Sequence, residues 1–170
     1  MKTLPSIIPG PEGSGFRLRL AKAEDRENLR VWKNQHKQFY FHKADITPEQ
    51  QSAWFAGYLE RPDDHVFMVE EDDAGSWVTV GVVAGRLLPS EQTVDLYNIM
   101  RGGRTQADRT NMGAALLALC RAASAVYPWP ITCKVLSDNP ALGWYVRIGF
   151  ATVEDRGDHK LLRFEEDLSK

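Results

Sequence analysis

The chain has 170 residues, of which 43% are hydrophobic and 26% are charged, and its formal net charge is -2. This length is sufficient for one well-buried core, and nothing in the composition indicates a second domain. The near-neutral charge gives no electrostatic reason to expect binding to nucleic acid or to an anionic membrane, and no apolar run approaches the ~20 residues of a membrane-spanning helix.

The cysteine content predicts a cytoplasmic protein with reduced thiols. Cys120 and Cys133 are the two cysteines of the chain, they lack CxxC spacing, and the first residues do not have the pattern of a signal peptide. The simplest interpretation is that both are small buried hydrophobic residues. The four histidines lack the spacing of paired ligands, so we expect no metal site.

The first part of the chain predicts a surface segment and then a strand and a helix. Prolines and glycines are frequent in residues 1–15, so we expect a flexible lead-in or a surface loop there, and a single folded domain over residues 16–170. Residues 16–20 alternate apolar and basic side chains, as a half-buried strand does. Residues 24–34 then predict a short helix.

A second helix has a clear start signal. Thr47 is followed by Pro48 and, three residues after Thr47, by Gln50, which is the pattern of a capping box. The aromatic and aliphatic residues that follow form an apolar stripe up to about residue 61.

The remainder of the chain predicts strands around a long helix. The predicted strands cover residues 65–71, 77–88, 93–100, 131–136, 150–154 and 160–164. The first two are separated by a short turn and should pair antiparallel. A long helix is predicted over residues 111–126, with a regular apolar face. Pattern alone therefore indicates an α/β or α+β domain.

The stretch from Ser137 to Phe150 is the most informative part of the chain about function. Asp138 or Asn139 can cap a helix that begins near residue 139. Pro140 suits the first turn of that helix, and Gly149 can adopt the left-handed conformation that ends it. The apolar stripe of this helix consists of Ala141, Leu142, Tyr145 and Ile148.

This stretch resembles the C-terminal acyl-coenzyme A motif of the GNAT N-acetyltransferase superfamily, because Asn139, Ala141, Tyr145, Gly149 and Phe150 match its five positions. The resemblance implies a GNAT-like acyl-CoA N-acyltransferase fold of the α/β (α+β) class, in which a central mixed, mostly antiparallel sheet is flanked by helices. It also implies acetyl-CoA as cofactor, coenzyme A as product and transfer of the acetyl group to a primary amine by direct attack. Residues 29–60 more weakly resemble the branch that contains aminosugar-nucleotide and ribosomal-protein N-acetyltransferases.

The resemblance places the diphosphate of the cofactor at the start of the long helix, where free amides and the helix dipole favour an anion. Residues 108–113 match the superfamily signature only partly, because Asp108 and Asn111 replace an Arg or Gln and a Gly. Asn111 could preserve the turn or cap the helix. The arginines of this loop either contact phosphate or are solvated. The expected cofactor-binding residues are Ile99, Met100, Arg101, Arg104, Arg109, Thr110, Asn111, Met112, Gly113, Ala114, Asn139 and Ala141.

The resemblance makes Tyr145 the general acid that protonates the leaving thiolate, although the ring could instead only pack against the cofactor arm. A backbone amide near Met100 or Arg101 is expected to stabilise the thioester oxygen. Asp95 is the candidate base; an exposed acid without a role, or a chain of ordered waters, are the alternatives. The expected substrate-binding residues are Phe39, Tyr40, His42 and Asn98, and the aromatic members form either a pocket wall or a lid.

We expect a small-molecule or protein amine as the acceptor, with neither nucleic acid nor membrane as a partner, and the resemblance admits a homodimer. The acceptor itself stays open among an aminosugar nucleotide, a protein N-terminus, a polyamine and an antibiotic. The departures at Asp108 and Asn111 leave a second function class open, a non-catalytic acyl-CoA sensor or interaction module on the same fold.

Overall fold

The computed structural model describes residues 2–165, which form a mixed eight-stranded sheet with helices on both faces. The strands are β1 (Ile7–Pro9), β2 (Phe16–Leu20), β3 (Asp64–Asp73), β4 (Ser76–Leu88), β5 (Thr93–Arg101), β6 (Ile131–Leu136), β7 (Phe150–Asp155) and β8 (His159–Phe164). The α-helices are α1 (Arg26–Gln35), α2 (Pro48–Glu60), α3 (Met112–Val126) and α4 (Leu142–Ile148). The mixed α/β architecture that the sequence predicts is confirmed.

The strands are arranged in the order β1-β2-β3-β4-β5-β6-β8-β7. Neighbouring strands are antiparallel except for β5 and β6, which are parallel. Helices cover both faces, so the central strands are buried on both sides. Along β3, for example, Val66 and Met68 pack beneath α1 and α2, whereas Phe67 and Val69 belong to the core beneath α3 and α4.

The N-terminal residues are attached to the sheet, which differs from the flexible lead-in or surface loop that we expected. Residues 7–9 pair with β2, and Leu4 and Ile8 are buried. The amide of Leu4 donates to Nε2 of His65 at 3.1 Å, and the Lys2 ammonium donates to two backbone carbonyls near the end of α2. Proline is tolerated here because β1 is an edge strand.

Helix α4 begins later than the sequence predicted. The expected start was near residue 139, but the Asn139 side chain accepts a hydrogen bond from the Ala141 amide at 2.9 Å and closes a turn before the helix. The amide of Tyr145 donates to the Ala141 carbonyl, so the helical ladder starts from there. Gly149 ends the helix with a φ of 128°, as expected.

The sheet opens between β5 and β6. These strands pair over only three positions, from Val94 with Ile131 to Leu96 with Cys133. Just beyond this point β5 bulges away from β4 at Asn98, which has a φ of 46°. The pairing of β5 and β6 therefore leaves a gap at the C-terminal ends of both strands, and ligands commonly bind at such ends of parallel strands.

Within residues 2–165, no helix has both the length and the apolar composition that crossing a lipid bilayer requires.

Candidate active site

A cavity of about 970 Å³ lies over the gap between β5 and β6. Of the residues that the sequence singled out, its wall contains Phe39, Tyr40, His42, Asp95, Asn98, Ile99, Met100, Arg101, Arg104, Met112, Asn139, Ala141 and Tyr145. The other singled-out residues, which are Arg109, Thr110, Asn111, Gly113 and Ala114, do not line it. Met112 at the start of α3 and Tyr145 of α4 therefore line the same cavity, whereas the neighbouring residues at the start of α3 lie outside its wall.

Tyr145 lies on the buried face of α4 and is 7% exposed. Its ring contacts the rings of Trp144 and Phe150 edge to face, with centroid distances of 4.9 and 5.7 Å. Its hydroxyl and the Cys133 thiol are close enough to influence each other's pKa. Burial, with the neighbouring Cys133 and Tyr40, raises the pKa of Tyr145 well above its ordinary value near 10. The phenol therefore keeps its proton at neutral pH, as a proton donor must, and the raised pKa makes it a weaker acid than a free phenol.

Cys133 lies opposite Tyr145, at the last parallel pair between β5 and β6. Burial, together with the charge of Asp95, raises the pKa of the Cys133 thiol to about 12. The thiolate is the nucleophilic form of cysteine, so this thiol is poorly suited to attack an acyl group.

Asp95 lies near the start of β5, where it pairs with Arg86 of β4 and Thr132 of β6. Its side chain is 14% exposed, and its Oδ2 atom is 4.0 Å from Nη1 of Arg86. Burial raises the pKa of Asp95 above its ordinary value, although the charges of Lys134 and Arg86 oppose this rise. A raised pKa makes the carboxylate a better proton acceptor near neutral pH.

The segment of residues 36–46 crosses the mouth of the cavity and has features of both a wall and a lid. The Tyr40 hydroxyl donates to the Ile99 carbonyl at 2.9 Å, immediately after the bulge in β5. Phe41 is 54% exposed, and its ring contacts the ring of His159 with a centroid distance of 5.1 Å. The segment therefore contacts β5 and β8 on the two sides of the gap.

Lys33 is a cavity residue that the sequence analysis did not single out. Its Nζ atom donates to Oδ1 of Asn98 at 2.6 Å and lies 3.6 Å from the centroid of the Tyr40 ring. Burial, with the nearby charge of Arg86, lowers the pKa of Lys33 to about 8. One signal was present in the sequence, because Lys33 follows Leu29 by four positions and so shares the inward face of α1.

The backbone donors at the start of α3 already have protein acceptors. Oδ1 of Asn111 accepts hydrogen bonds from the amides of Gly113 and Ala114 at 2.9 and 3.2 Å. Asn111 has a φ of -93°, so of its two expected roles it takes that of the helix cap and does not form a left-handed turn. The Asn111 side chain thus accepts hydrogen bonds from amides that would otherwise be free at the start of the helix.

The two amides before Asn111 bind the buried carboxylate of Glu71. Oε1 of Glu71 accepts hydrogen bonds from the amides of Arg109 and Thr110 at 2.9 and 2.8 Å and from the Thr110 hydroxyl at 2.7 Å, and Oε2 accepts one from the Thr105 hydroxyl. Burial opposes ionisation of Glu71, but these hydrogen bonds outweigh it and hold the pKa of the carboxyl below its ordinary value. Glu71 therefore fixes the loop that precedes α3.

The arginines of this loop point in different directions. Arg104 lines the cavity, and its Nη1 atom donates to both carboxylate oxygens of Asp108 at 2.8 Å. Nη1 of Arg101 is also 3.6 Å from Asp108, so the acid that would repel a diphosphate is paired with two cations. Arg109 lies outside the cavity wall and donates to the Asp72 carbonyl at 2.6 Å.

Among residues 2–165, no group of three or more His, Cys, Asp or Glu side chains is arranged to hold a metal ion.

Comparison with solved structures places this geometry on a known fold. Apo FdhC, described as a nucleotide-linked sugar GNAT, matches with a TM-score of 0.72 and 14% identity, over 97% of this chain and 91% of FdhC. The chain has the GNAT fold. A probable GNAT-family acetyltransferase from Chromobacterium violaceum matches with a TM-score of 0.72 and 17% identity, over 99% of this chain and 89% of that protein.

A further protein with the GNAT fold is a spermidine N-acetyltransferase from Vibrio cholerae that was solved with CoA and spermine. It matches with a TM-score of 0.66 and 13% identity, over 89% of this chain and 94% of that protein. No family model and no curated protein matches the sequence. The GNAT fold that residues 137–150 suggested is confirmed by structure and not by sequence similarity.

Proposed function

We propose that this protein is an N-acetyltransferase that transfers an acetyl group from acetyl-CoA to a primary amine by direct attack. The observation that carries the proposal is the single cavity in which the bulge of β5, the gap between β5 and β6 and the Tyr145 phenol meet. Two of the solved proteins with this fold are described as acetyltransferases, and one of them was solved with CoA.

The residues of the gap fit an extended cofactor arm that contains amide groups. Beyond Leu96, β5 has no strand partner on the side of β6, so its edge can hydrogen-bond to such an arm. Asn139 and Ala141 line the same cavity from the turn before α4. Arg101 and Arg104 would hold the diphosphate, because they are the cationic side chains that face the cavity near the start of α3.

In this proposal each role belongs to a residue of the cavity wall. Acetyl-CoA supplies the activated acyl group. Asp95, directly or through water, accepts a proton from the attacking amine, and Tyr145 gives its proton to the departing thiolate. A backbone amide near Met100 stabilises the negative charge on the thioester oxygen. The high pKa of Cys133 makes an acyl-enzyme on that thiol unfavourable, which supports direct attack.

A second candidate function is that of an acyl-CoA-binding module without catalysis. It is favoured by the start of α3, where Asn111 and Glu71 already accept the hydrogen bonds that a diphosphate would otherwise receive. A weaker hold on the diphosphate suits a sensor that responds to the concentration of its ligand.

The experiment that tests the proposal has two stages. The purified protein is first titrated with acetyl-CoA in a calorimeter, and thiol release is then followed with a panel of primary amines. We expect saturable heat in the first stage and amine-dependent thiol release in the second. Heat without thiol release from any amine would support the binding module, and the absence of heat would refute both functions.

A further inference from the structure

We propose that the acceptor amine also carries an oxyanion, a carboxylate or a phosphate, and that Lys33 and Arg86 bind this oxyanion in the cavity. This inference rests on the proposed function and specifies its substrate class. It depends on residues that the catalytic assignment does not use.

The Lys33 ammonium is partly buried, yet it forms no ion pair with any carboxylate in residues 2–165. Its contacts are the neutral amide of Asn98, at 2.6 Å, and the face of the Tyr40 ring, at 3.6 Å. A buried cation without a counter-ion is unfavourable, and burial accordingly lowers the pKa of Lys33 to about 8. A bound anion would offset this cost.

Arg86 is the second cation of the same wall. Its guanidinium lies 3.8 Å from the centroid of the Tyr97 ring, and the Tyr97 hydroxyl donates to Asp64, which holds that ring in place. The contact of Arg86 with Asp95 is loose, at 4.0 Å. Arg86 and Lys33 line the same cavity, and the charge of Arg86 contributes to the lowered pKa of the lysine. The two side chains can therefore approach one anion together.

The other charged side chains of the cavity wall around Lys33 and Arg86 also favour binding of an anion. Lys33, Arg86 and Lys134 line the cavity there, and Asp95 is the only carboxylate that the described residues contribute to the cavity wall. A polyamine carries several positive charges and would meet like charges on this surface. An amine that also carries an oxyanion would place its amine near Asp95 and its anion near Lys33 and Arg86.

Matched pairs of acceptors test the inference through kinetics. The pairs are glucosamine with glucosamine 6-phosphate and phenylalaninamide with phenylalanine, and spermidine is added as a polyamine. We expect kcat/KM to be about 30-fold higher or more for the anionic member of at least one pair, because its anion pairs with the two cations of the cavity wall. The responding pair also distinguishes a phosphate from a carboxylate. Equal rates within both pairs, or a preference for spermidine, would overturn the inference.

Variants assign the effect to the two cations. Lys33→Met and Arg86→Gln should each reduce the advantage of the anionic acceptor to within about threefold. Lys160→Met is the matched control, because Lys160 lies outside the cavity and pairs with Asp155 at 2.9 Å. We expect it to keep the full advantage, and an equal loss in this variant would contradict a local anion site.

A binding measurement on the unaltered protein separates this inference from the proposed catalysis. The titration of Lys33 is followed by NMR of the lysine Cε carbon without acetyl-CoA, with Lys33→Met for assignment. Glucosamine 6-phosphate or phenylalanine should raise the midpoint from about 8 by at least one pH unit, and glucosamine and phenylalaninamide, which lack the anion, should not raise it. A raised midpoint without thiol release would refute the catalysis alone. A midpoint that neither anionic amine moves would overturn the anion site.

Discussion

The start of α3 and the gap between β5 and β6 differ in how their backbone is used. At the start of α3, the amides of residues 109, 110, 113 and 114 already donate to Glu71 and Asn111. At the gap between β5 and β6, pairing stops after Leu96 and a strand edge faces the cavity. The difference teaches that one GNAT fold can keep an open backbone edge at the gap while the backbone amides at the start of its longest helix are satisfied by the protein's own side chains.

The largest expected effect is on stability and concerns the loop before α3. Glu71→Ala removes the acceptor of two backbone amides, the buried amide of Thr110 and the part-buried amide of Arg109. We expect the free energy of unfolding to fall by about 3 kcal/mol. Urea unfolding measures it, and Glu91→Ala, at an exposed position, is the control with an expected change within about 0.5 kcal/mol. An unchanged midpoint for Glu71→Ala would show that the loop before α3 does not depend on this carboxylate.

The next effect is on catalysis at the gap between β5 and β6. Tyr145→Phe removes the proposed proton donor but keeps the ring that contacts Trp144 and Phe150. We expect kcat to fall about 100-fold while the affinity for acetyl-CoA measured by calorimetry stays within about twofold. Tyr127→Phe, at a position outside the cavity, should leave both quantities unchanged. Unchanged turnover in Tyr145→Phe would leave the ring with a packing role only.

A smaller effect, on the affinity for acetyl-CoA, is expected to distinguish Arg104 from Arg109 in the loop before α3. Arg104→Ala removes a cation that faces the cavity, so we expect the dissociation constant of acetyl-CoA to rise about fivefold. Arg109→Ala should change it less than about twofold, because that guanidinium lies outside the cavity and binds the Asp72 carbonyl. Calorimetry on both variants checks the pair, and the reverse order of effects would place the diphosphate on the other side of the loop.

The smallest effect is a dependence of stability on pH that arises from the Glu71 carboxyl. The pKa of Glu71 is lower in the folded protein than its ordinary value of 4.5, so the unfolded chain binds this proton first as the pH falls. The stabilisation by Glu71 is therefore complete above about pH 4.5 and is lost as the pH falls below it. Urea midpoints between about pH 3 and pH 6 should fall less steeply for Glu71→Gln than for the unaltered protein. Parallel profiles would assign the acid sensitivity to other carboxyls.

Features with a local signal could be predicted from the sequence. Thr47 and Gln50 form the expected reciprocal capping box, with bonds of 2.9 and 3.1 Å. Gly149 ends α4 and Tyr145 faces inward, as the spacing of the apolar residues indicated. Such features are predictable because caps, glycine stops and helical or strand periodicity depend on residues within a few positions of one another.

Other features became visible only in the folded chain. The N-terminal strand is held through the bond of Leu4 to His65, 61 positions away, and the loop before α3 through the bond of Thr110 to Glu71, 39 positions away. Lys33 belongs to the site because the bulge brings Asn98 beneath it. In the sequence alone, the N-terminal segment is rich in proline, Glu71 is one acidic residue of a predicted strand, and Lys33 is one basic residue of a predicted helix. Their roles come from contacts between distant parts of the chain, and no local pattern encodes which distant partner a side chain meets.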